Sequence, residues 1–269
     1  MGGWIEELFK VNKPIIGMVH LRPLPGSPFH PGSVEEVYDA ALKDAEALYS
    51  GGVDGFIVEN FNDVPFLKGE VGPEVVASMS IIVRDIVRRY GLPTGVNVLR
   101  NDGIAALAIA HAAGAHFIRI NAYVDTLVTD QGIIEPCAAQ VLRYRKLLSS
   151  GVKILADVLC KHAHPLAPLR LEEAVANAID RGRADAIVIT GERTGSSPNL
   201  LDVRRAKEAA SSTPVFVGSG LRPDNVLEYL KYADGGIVGT WFKREGDVRN
   251  EVDPERVKEL MKRVRELRA

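Results

Sequence analysis

The sequence has little cysteine, no excess of charge of either sign and no long apolar run. Its two cysteines, Cys137 and Cys160, are too few for a disulfide scaffold or an all-cysteine structural zinc site. Its 33 basic and 35 acidic residues nearly cancel, which argues against nucleic-acid binding through a basic face. No apolar run reaches the roughly 18–20 residues that cross a bilayer, so we expect no transmembrane segment.

The residues that are present are those of a folded chain. Hydrophobic residues make up 46% of the sequence, which supplies a sizeable core and is too much for a disordered chain. The first residues include Glu6, Glu7 and Lys10 and so lack the uninterrupted apolar core of a signal peptide. We therefore expect a globular, cytoplasmic protein.

Short apolar runs alternate with amphipathic stretches along the whole chain. Several runs, such as Ala186–Ile189, are continuously apolar, which is typical of strands buried on both faces of a parallel sheet. The predicted strands are 14–20, 54–60, 94–99, 117–121, 152–159, 185–190, 214–218 and 235–240.

Helical patterns fill the intervals between these strands. Ser33 with Glu36 three residues later predicts a capped helix, whose apolar face carries Val34, Val37, Ala41 and Leu48. Further predicted helices are a short extra one at 4–9, then 104–113 with Asn101 or Asp102 as its cap, 172–181, and 224–232. The last helix opens at Asp253-Pro254, and its predicted apolar stripe is Val257, Leu260, Met261, Val264 and Leu267.

Eight consecutive strand–helix units predict a closed (β/α)8 TIM barrel, an α/β fold, in a single domain over residues 1–269. No linker or shift in composition separates the units. A doubly wound open sheet is the rival architecture, but such a sheet typically has fewer strands. The first turn, residues 20–31, is also unlike a GxGxxG dinucleotide loop.

The active site of such a barrel lies at the C-terminal ends of its strands, which selects candidate catalytic residues. Asp157 ends a very apolar strand, where burial can tune a carboxylate for proton transfer. His20 and Glu59, on adjacent strands, are candidates for general acid and base, although His20 could instead be a hydrogen-bonded structural histidine. Lys161 could neutralise an anionic intermediate or, if desolvated, act as a base or a Schiff-base nucleophile.

Other polar residues at this mouth predict substrate binding. Asn97, Arg119 and Asn121 could orient hydroxyl groups or stabilise developing negative charge. The turn after the sixth strand offers Thr190, Arg193 and Thr194 for a sugar or an anion, unless it is only a flexible surface loop. The predicted substrate-binding set is completed by Asn60 and His162.

The last two turns predict a phosphate site. Gly218-Ser219-Gly220 follows the seventh strand, and Gly239-Thr240 ends the eighth. Loops at these positions frequently bind phosphate through backbone N–H groups, and glycine lets the backbone approach the anion closely. Ordinary turn glycines are the alternative.

The sequence leaves open whether the protein binds a divalent metal. The His162-x-His164 spacing places both rings on one side of an extended segment. Together with Asp157, His20 or Glu59 they could make a divalent-metal site. Two solvated histidines in a polar loop are the plainer interpretation.

Several blocks of the sequence resemble the BtpA/SgcQ family. The most specific is residues 14–28, PIIGMVHLRPLPGSP, and further agreement lies at Gly52-Val53-Asp54-Gly55 with Glu59-Asn60, at Phe117-Ile118-Arg119, at Asp130-Gln131-Gly132 and at Lys161-His162-Ala163. The resemblance covers most of the chain and implies a TIM barrel of the ribulose-phosphate-binding type. The family takes its name from a cyanobacterial protein implicated in photosystem I biogenesis, while other members accompany sugar-utilisation genes.

The sequence supports two classes of function. The first is an enzyme, an isomerase, lyase or glycosyl-transfer enzyme, whose partner is a phosphorylated small molecule such as a phosphosugar or phosphoribosyl compound. The second is a non-catalytic assembly or regulatory factor of the BtpA type that uses the barrel as a scaffold, with residues 21–31 as a docking segment or a lid. Barrels of this type often dimerise, so the sequence is compatible with a homo-oligomer. No sequence feature identifies an interface.

Overall fold

A computed structural model describes residues 3–268. The strands of this range are β1 (Ile15–His20), β2 (Gly55–Glu59), β3 (Thr94–Asn97), β4 (Phe117–Ile120), β5 (Leu127–Thr129), β6 (Gly132–Ile134), β7 (Lys153–Val158), β8 (His164–Pro165), β9 (Ala186–Ile189), β10 (Val215–Val217) and β11 (Gly235–Val238). Its α-helices are α1 (Trp4–Phe9), α2 (Val34–Gly51), α3 (Pro73–Tyr90), α4 (Gly103–Ala113), α5 (Ala138–Leu147), α6 (Leu171–Ala176), α7 (Leu200–Ala210), α8 (Val226–Tyr229) and α9 (Pro254–Arg268).

Eight of these strands close into a barrel in the order β1-β11-β10-β9-β7-β4-β3-β2. Every neighbouring pair is parallel, and the ring closes where Ile16 of β1 partners Ile237 of β11. This closure excludes the open sheet and confirms the predicted (β/α)8 TIM barrel. The eight predicted strands are the eight barrel strands, with ends that differ by a few residues at most.

Alternate residues of each barrel strand point into the barrel, as the two-residue repeat of a strand requires. A layer of buried apolar side chains fills its interior: Ile16, Met18, Ile57, Phe117, Leu155, Ala186, Val188, Phe216 and Ile237. One step further along the same faces, the side chains are polar. His20 partners Glu59, Glu59 partners Asn97, and Asn97 partners Arg119 in the strand register. The apolar layer is therefore the floor on which a polar layer stands.

Two glycines make room for the large rings in this floor. A Cβ on Gly95 would lie 2.2 Å from the Phe117 ring, and one on Gly235 would lie 2.4 Å from the Phe216 ring. Such distances are far inside van der Waals contact, so each phenylalanine requires a neighbour without a side chain.

The predicted short N-terminal helix is confirmed, and it covers the N-terminal end of the barrel. Ile5 and Phe9 of α1 are buried in the same cluster as the barrel floor, and the Phe9 and Phe117 ring centroids are 6.0 Å apart. The Trp4 indole Nε1 donates to the backbone oxygen of Asp185 at 3.1 Å. The helix therefore blocks the end of the barrel opposite the predicted active site.

The helix caps agree with the sequence, whereas two residues of the apolar faces do not. Asp102 rather than Asn101 caps α4, since its Oδ1 accepts from Ala105 N at 2.8 Å, and Ser33 Oγ accepts from Glu36 N at 3.4 Å. Val34 and Leu267 are exposed, and their predicted burial was wrong because each lies in the terminal turn of its helix, beyond the residues that cover the face. The helix predicted at 224–232 is regular only over α8, and no helix of residues 3–268 is long and apolar enough to span a membrane.

A small antiparallel sheet, with strand order β6-β5-β8, lies outside the barrel. It joins the loop that follows β4 to the loop that follows β7. Leu127 of β5 pairs with Ile134 of β6 on one side and with Pro165 of β8 on the other. The sequence analysis missed it, because strands of two or three residues are too short to display a two-residue repeat. This sheet brings Asp130, at its β5–β6 turn, to the barrel mouth.

Candidate active site

A cavity of about 570 Å³ opens at the C-terminal ends of the barrel strands. This is the end at which TIM-barrel enzymes carry their active sites. The predicted site residues that line it are His20, Glu59, Arg119, Asn121, Lys161, His162, Thr194, Gly218, Ser219, Gly220, Gly239 and Thr240. Residues far apart in the chain therefore meet around one volume that is large enough for a small metabolite.

A buried ion pair forms the base of the cavity. Arg119 donates from Nε and Nη2 to the two Asp157 oxygens at 2.8 and 2.9 Å, and Asn121 Nδ2 donates to Asp157 Oδ2 at 2.9 Å. Burial alone would lower the pKa of Arg119, but the charge and hydrogen bonds of Asp157 more than offset it and raise that pKa. Arg119 is therefore a fixed positive charge, held in one orientation by a bidentate contact.

Asp157 itself does not line the cavity. Its side chain is fully covered, and both of its oxygens accept from Arg119. They are not free for the proton transfer expected of this residue from the sequence. The geometry makes Asp157 the positioning residue of Arg119. The rule that active-site residues lie at the C-terminal ends of the strands, here called the strand-end rule, cannot distinguish this role from catalysis.

Glu59 offers the carboxyl group that Asp157 does not. It is buried, it lines the cavity, and no residue of the range 3–268 donates a hydrogen bond to its side-chain oxygens. Burial raises the pKa of Glu59, and the charge of Asp157 raises it further, while Arg119 and Lys161 act in the opposite direction. A carboxyl group whose pKa is raised towards neutrality can both give and take a proton.

His20 stands beside Glu59 in the strand register and stacks on Phe61, with ring centroids 4.3 Å apart. Burial holds the pKa of His20 well below 6.5, and the charges of Lys243 and Lys161 lower it further. Its Nδ1 is buried and has no hydrogen-bond partner among the described residues. Burial thus disfavours the charged imidazolium form, and Nδ1 is not tied into a structural hydrogen bond among the described residues.

Lys161 enters the cavity from the segment that follows β7. Its backbone N donates to Thr190 Oγ1 at 3.0 Å, and its backbone oxygen accepts from Arg100 Nη2 at 3.0 Å. Burial lowers the pKa of the Lys161 amine, and the charge of Arg119 lowers it further. The next residue, His162, contacts Thr194 Oγ1 through Nε2 at 3.1 Å, which joins the loops after β7 and β9 across the mouth.

The turns after β10 and β11 line the cavity and contain backbone N–H groups that have no acceptor among the described residues. Within residues 3–268, the N–H groups of Gly220, Gly239 and Thr240 donate to no other backbone or side-chain group. Gly220 has a φ of +73°, and a Cβ there would lie 2.1 Å from Ser197 N, so only glycine fits. Thr240 begins a short 3-10 turn at residues 240–242. Free N–H groups at such a turn are suited to an anion.

The hydroxyl group of Ser219 is bound to the neighbouring loop. The Ser219 Oγ accepts from Gly191 N at 3.0 Å and donates to Ser196 O at 2.8 Å. The side chain therefore fixes the neighbouring loop 191–197 in place next to the glycine turn.

Four predicted substrate-binding or loop residues do not reach the cavity wall. Asn60 is fully buried, and its side chain bonds the backbone N and O of Leu99 at 2.7 and 3.0 Å. Asn97 lies below the surface, with its Nδ2 donating to Arg119 O at 3.1 Å. Thr190 binds the backbone of Lys161, and Arg193 is exposed outside the cavity. The first three hold neighbouring site residues in place.

The structure does not assemble the metal-ligand set that the H-x-H spacing suggested. Among the described residues, no group of three or more His, Cys, Asp and Glu side chains could hold a metal ion. His162 contacts Thr194, and His164 is exposed on β8. Asp157, a suggested further ligand, already binds Arg119 through both oxygens.

Sequence reasoning missed several residues of the cavity wall: Met18, Phe61, Asn62, Val64, Phe66, Leu99, Arg100 and Asp130. Most of them lie on loops beyond the strand ends, where the strand-end rule gives no position. The exception is Met18, whose two-residue offset from His20 places it on the same inner face of β1.

Comparisons with known proteins agree on fold and family. The family model described as "BtpA family" matches residues 11–266. The photosystem I biogenesis protein BtpA of Synechocystis is 49% identical over 251 residues, which cover 93% of this chain and 88% of that protein. An uncharacterized protein of Thermococcus kodakarensis is 48% identical over 257 residues, which cover 96% of this chain and 97% of that protein.

Solved structures with the same fold are far more distant in sequence. GGGPS from Thermoplasma volcanium matches with a TM-score of 0.61 at 14% identity, and the match covers all of both chains. Phosphoribosyl anthranilate isomerase from Thermus thermophilus matches with a TM-score of 0.55 at 16% identity, over 95% of this chain and all of that chain. These structures share the barrel, while sequence identity assigns the family. The chain belongs to the BtpA family.

Proposed function

We propose that this protein is an enzyme that acts on a small phosphorylated metabolite, a phosphosugar or phosphoribosyl compound, by acid–base chemistry in the cavity at the barrel mouth. One observation carries the proposal, namely that a single cavity contains two kinds of chemical group. The turns after β10 and β11 supply free N–H donors for a phosphate. Glu59, His20 and Lys161 supply groups that can exchange protons.

The division of roles follows from the state of each side chain. Glu59 is the general acid or base, since its carboxyl group faces the cavity and its pKa is raised by burial. His20 lines the same cavity, and its unpartnered Nδ1 is available to hydrogen-bond the substrate. Arg119 stabilises negative charge that develops on the substrate, because Asp157 fixes its guanidinium before the substrate arrives.

The names of fold neighbours support the proposed substrate class. A phosphoribosyl anthranilate isomerase and a 3-hexulose-6-phosphate synthase, at 16% and 15% identity, both have this barrel. Their likeness is one of fold, so the argument for this chain rests on its own N–H donors and acid–base groups.

An assembly role like that named for the Synechocystis relative is the second candidate. The observation that favours it is a set of exposed apolar side chains on loops at the mouth: Phe29 at 68%, Leu67 at 61% and Leu166 at 58%. These side chains would suit a protein partner. Under this alternative, the cavity would not need to bind a phosphorylated ligand.

A thermal-shift screen separates the two candidates. Phosphosugars and phosphoribosyl compounds are each compared with the dephosphorylated partner, with and without a divalent metal. A ligand at about 100 times its Kd stabilises the fold by roughly 2.7 kcal/mol, which raises the melting temperature measurably. We expect at least one compound to stabilise the protein only in its phosphorylated form.

Matched variants locate the effect. Thr240→Glu places a negative charge at the proposed phosphate turn and is expected to abolish the shift. Thr213→Glu makes the same change at the half-buried residue near the start of β10, at the other end of the barrel, and is expected to preserve it. An equal shift with the dephosphorylated compounds, or no shift with any phosphorylated compound, would contradict the proposal.

A further inference from the structure

Two lysines that follow barrel strands, Lys161 and Lys243, have very different surroundings. Lys243, after β11, is fully buried, and its ammonium group forms an ion pair with Asp44 of α2. Lys161 has no carboxylate oxygen within 4.0 Å among the described residues, and its amine makes no hydrogen bond there. Lys243 is explained by structure alone, whereas Lys161 is not.

The neighbouring ion pair occupies one of the two carboxyl groups whose charges act on Lys161. Asp157, at the end of β7, binds Arg119 through both oxygens at 2.8 and 2.9 Å, while Glu59 lines the same cavity and forms no ion pair with Lys161. Arg119 therefore takes the counter-charge and also adds a positive charge near the lysine. Burial lowers the pKa of Lys161, the charge of Arg119 lowers it further, and the charges of Glu59 and Asp157 act in the opposite direction. A lowered pKa favours the neutral amine that acts as a nucleophile.

The backbone holds this amine in the cavity. Hydrogen bonds fix Lys161 from two sides, through Thr190 Oγ1 to its N and through Arg100 Nη2 to its oxygen, each at 3.0 Å. The side chain starts from a position between β7 and β9 that cannot drift with the outer loop. In the ring of strands, β7 lies opposite β1, so Lys161 approaches the cavity from the side facing His20.

We propose that the Lys161 amine forms an imine with the carbonyl carbon of a small phosphorylated ketose or aldehyde whose phosphate binds the turns after β10 and β11. The nitrogen lone pair forms a bond to the carbonyl carbon, and the carbonyl π pair moves to oxygen. Glu59 gives that oxygen a proton and takes one from the nitrogen, which yields a neutral carbinolamine. Glu59 then protonates the hydroxyl group, which leaves as water while the nitrogen lone pair forms the C=N bond. Loss of the remaining N–H proton to the Glu59 carboxylate gives the imine. Nothing is oxidised or reduced.

This inference rests on the proposed function and narrows it to carbonyl compounds. It uses Glu59 as the proton donor because its carboxyl group lines the same cavity and lacks a described partner. The phosphate turns would fix one end of the ligand and Lys161 would capture the other.

Reductive trapping tests the proposal. The protein is incubated with dihydroxyacetone phosphate or ribulose 5-phosphate and then with sodium borohydride, whose hydride reduces an imine to a stable secondary amine. Dihydroxyacetone and ribulose serve as the partners without phosphate. Intact mass spectrometry is expected to show one added ketose phosphate per chain, and peptide mapping is expected to place it on Lys161.

Lysine variants give the matched controls. Lys161→Arg keeps the positive charge but removes the primary amine, so the adduct should be lost. Lys68→Arg alters an exposed lysine on the loop after β2 and should leave the adduct unchanged. Peptide mapping of the unaltered protein locates the adduct even if Lys161→Arg fails to fold.

The outcomes distinguish this inference from the function on which it rests. A ketose phosphate that stabilises the protein but is never trapped on Lys161 overturns the imine and leaves the phosphate site standing. Stabilisation by other phosphorylated compounds alone, with neither ketose phosphate bound, overturns the proposed carbonyl substrate in the same way. An adduct that is spread over exposed lysines, or that persists in Lys161→Arg, also overturns the inference.

Discussion

At the scale of single residues, the ion pair between Arg119 and Asp157 decides how the other groups of the site behave. It uses both Asp157 oxygens and fixes one guanidinium orientation. Among the described residues, Lys161 forms no ion pair, and the Glu59 carboxyl group lines the cavity without accepting a hydrogen bond. A buried pair of this kind contributes less to net stability than to arrangement, but breaking it is costly.

Asp157→Asn should therefore destabilise the fold. It leaves the buried Arg119 charge without a counter-charge, and removal of one partner of a buried pair costs about 3–5 kcal/mol. Urea denaturation of the purified variant measures the loss. Glu208→Gln breaks the exposed Arg204–Glu208 pair and is expected to leave the midpoint unchanged. Equal effects from the two substitutions would show that the Arg119–Asp157 pair has no special role.

Glu59→Gln should have the opposite effect on stability. Burial raises the folded-state pKa of Glu59 above that of the unfolded chain, so keeping this residue in the folded protein at pH 7 carries a cost in stability. Below pH 4.5 both folded and unfolded chains are protonated at this position, and that cost disappears. The variant should gain free energy of unfolding at pH 7, about 1.4 kcal/mol for each unit by which burial raises the pKa.

Urea denaturation of the wild type and Glu59→Gln at pH 7 and pH 4 checks this sign. The gain should shrink as the pH falls, because glutamine never ionises. A variant that is less stable than the wild type at both pH values would mean that Glu59 is a structural residue rather than a strained functional one.

The sequence predicted where these residues lie but not their burial or their hydrogen-bond partners. The strand-end rule correctly brought His20, Glu59 and Arg119 to the cavity wall. It could not reveal that Asp157 is covered by Arg119, or that Asn60 is used by the backbone of Leu99, because both depend on side chains from other strands. The orientation of a side chain at a strand end and its hydrogen-bond partner depend on tertiary structure.

At the scale of elements, α1 is a structural part of the barrel although it lies outside the eight repeated units. Ile5 and Phe9 pack against the apolar layer of the barrel interior, and the polar residues of the mouth lie on the other side of that layer. The helix thus supports the floor of the cavity from the opposite end.

Phe9→Ala should destabilise the protein by about 3–5 kcal/mol, the usual cost of removing a buried phenylalanine side chain. Glu7→Ala changes an exposed residue of the same short helix and should leave the unfolding midpoint unchanged. Chemical denaturation of both variants makes the comparison. If Phe9→Ala unfolds at the wild-type midpoint, α1 does not support the barrel floor.

Elements with a repeated pattern were predictable, and irregular ones were not. The eight barrel strands and the cap at Asp102 follow from apolar runs and local hydrogen bonding. The β6-β5-β8 sheet was missed because its strands have only two or three residues, and because its β5–β8 pair, Leu127 with Pro165, joins segments separated by a helix and a barrel strand. Its contribution to the mouth, Asp130, was missed with it.

At the scale of the whole molecule, closure of the ring creates the site. Pairing of β1 with β11 brings His20 next to Gly239, where an added Cβ would lie 3.0 Å from the imidazole Cε1. The proposed phosphate turns and the proposed acid–base residues thus become neighbours only in the closed barrel. An open sheet would have left β1 and β11 apart.

The most direct test of a phosphate site in this cavity is a crystal structure of the protein with the phosphorylated compound that gives the largest thermal shift. We predict that the phosphate oxygens lie within hydrogen-bond distance of the N–H groups of Gly220, Gly239 and Thr240, with the rest of the ligand facing Glu59 and Lys161. A phosphate bound elsewhere, with these N–H groups facing solvent, would contradict the account.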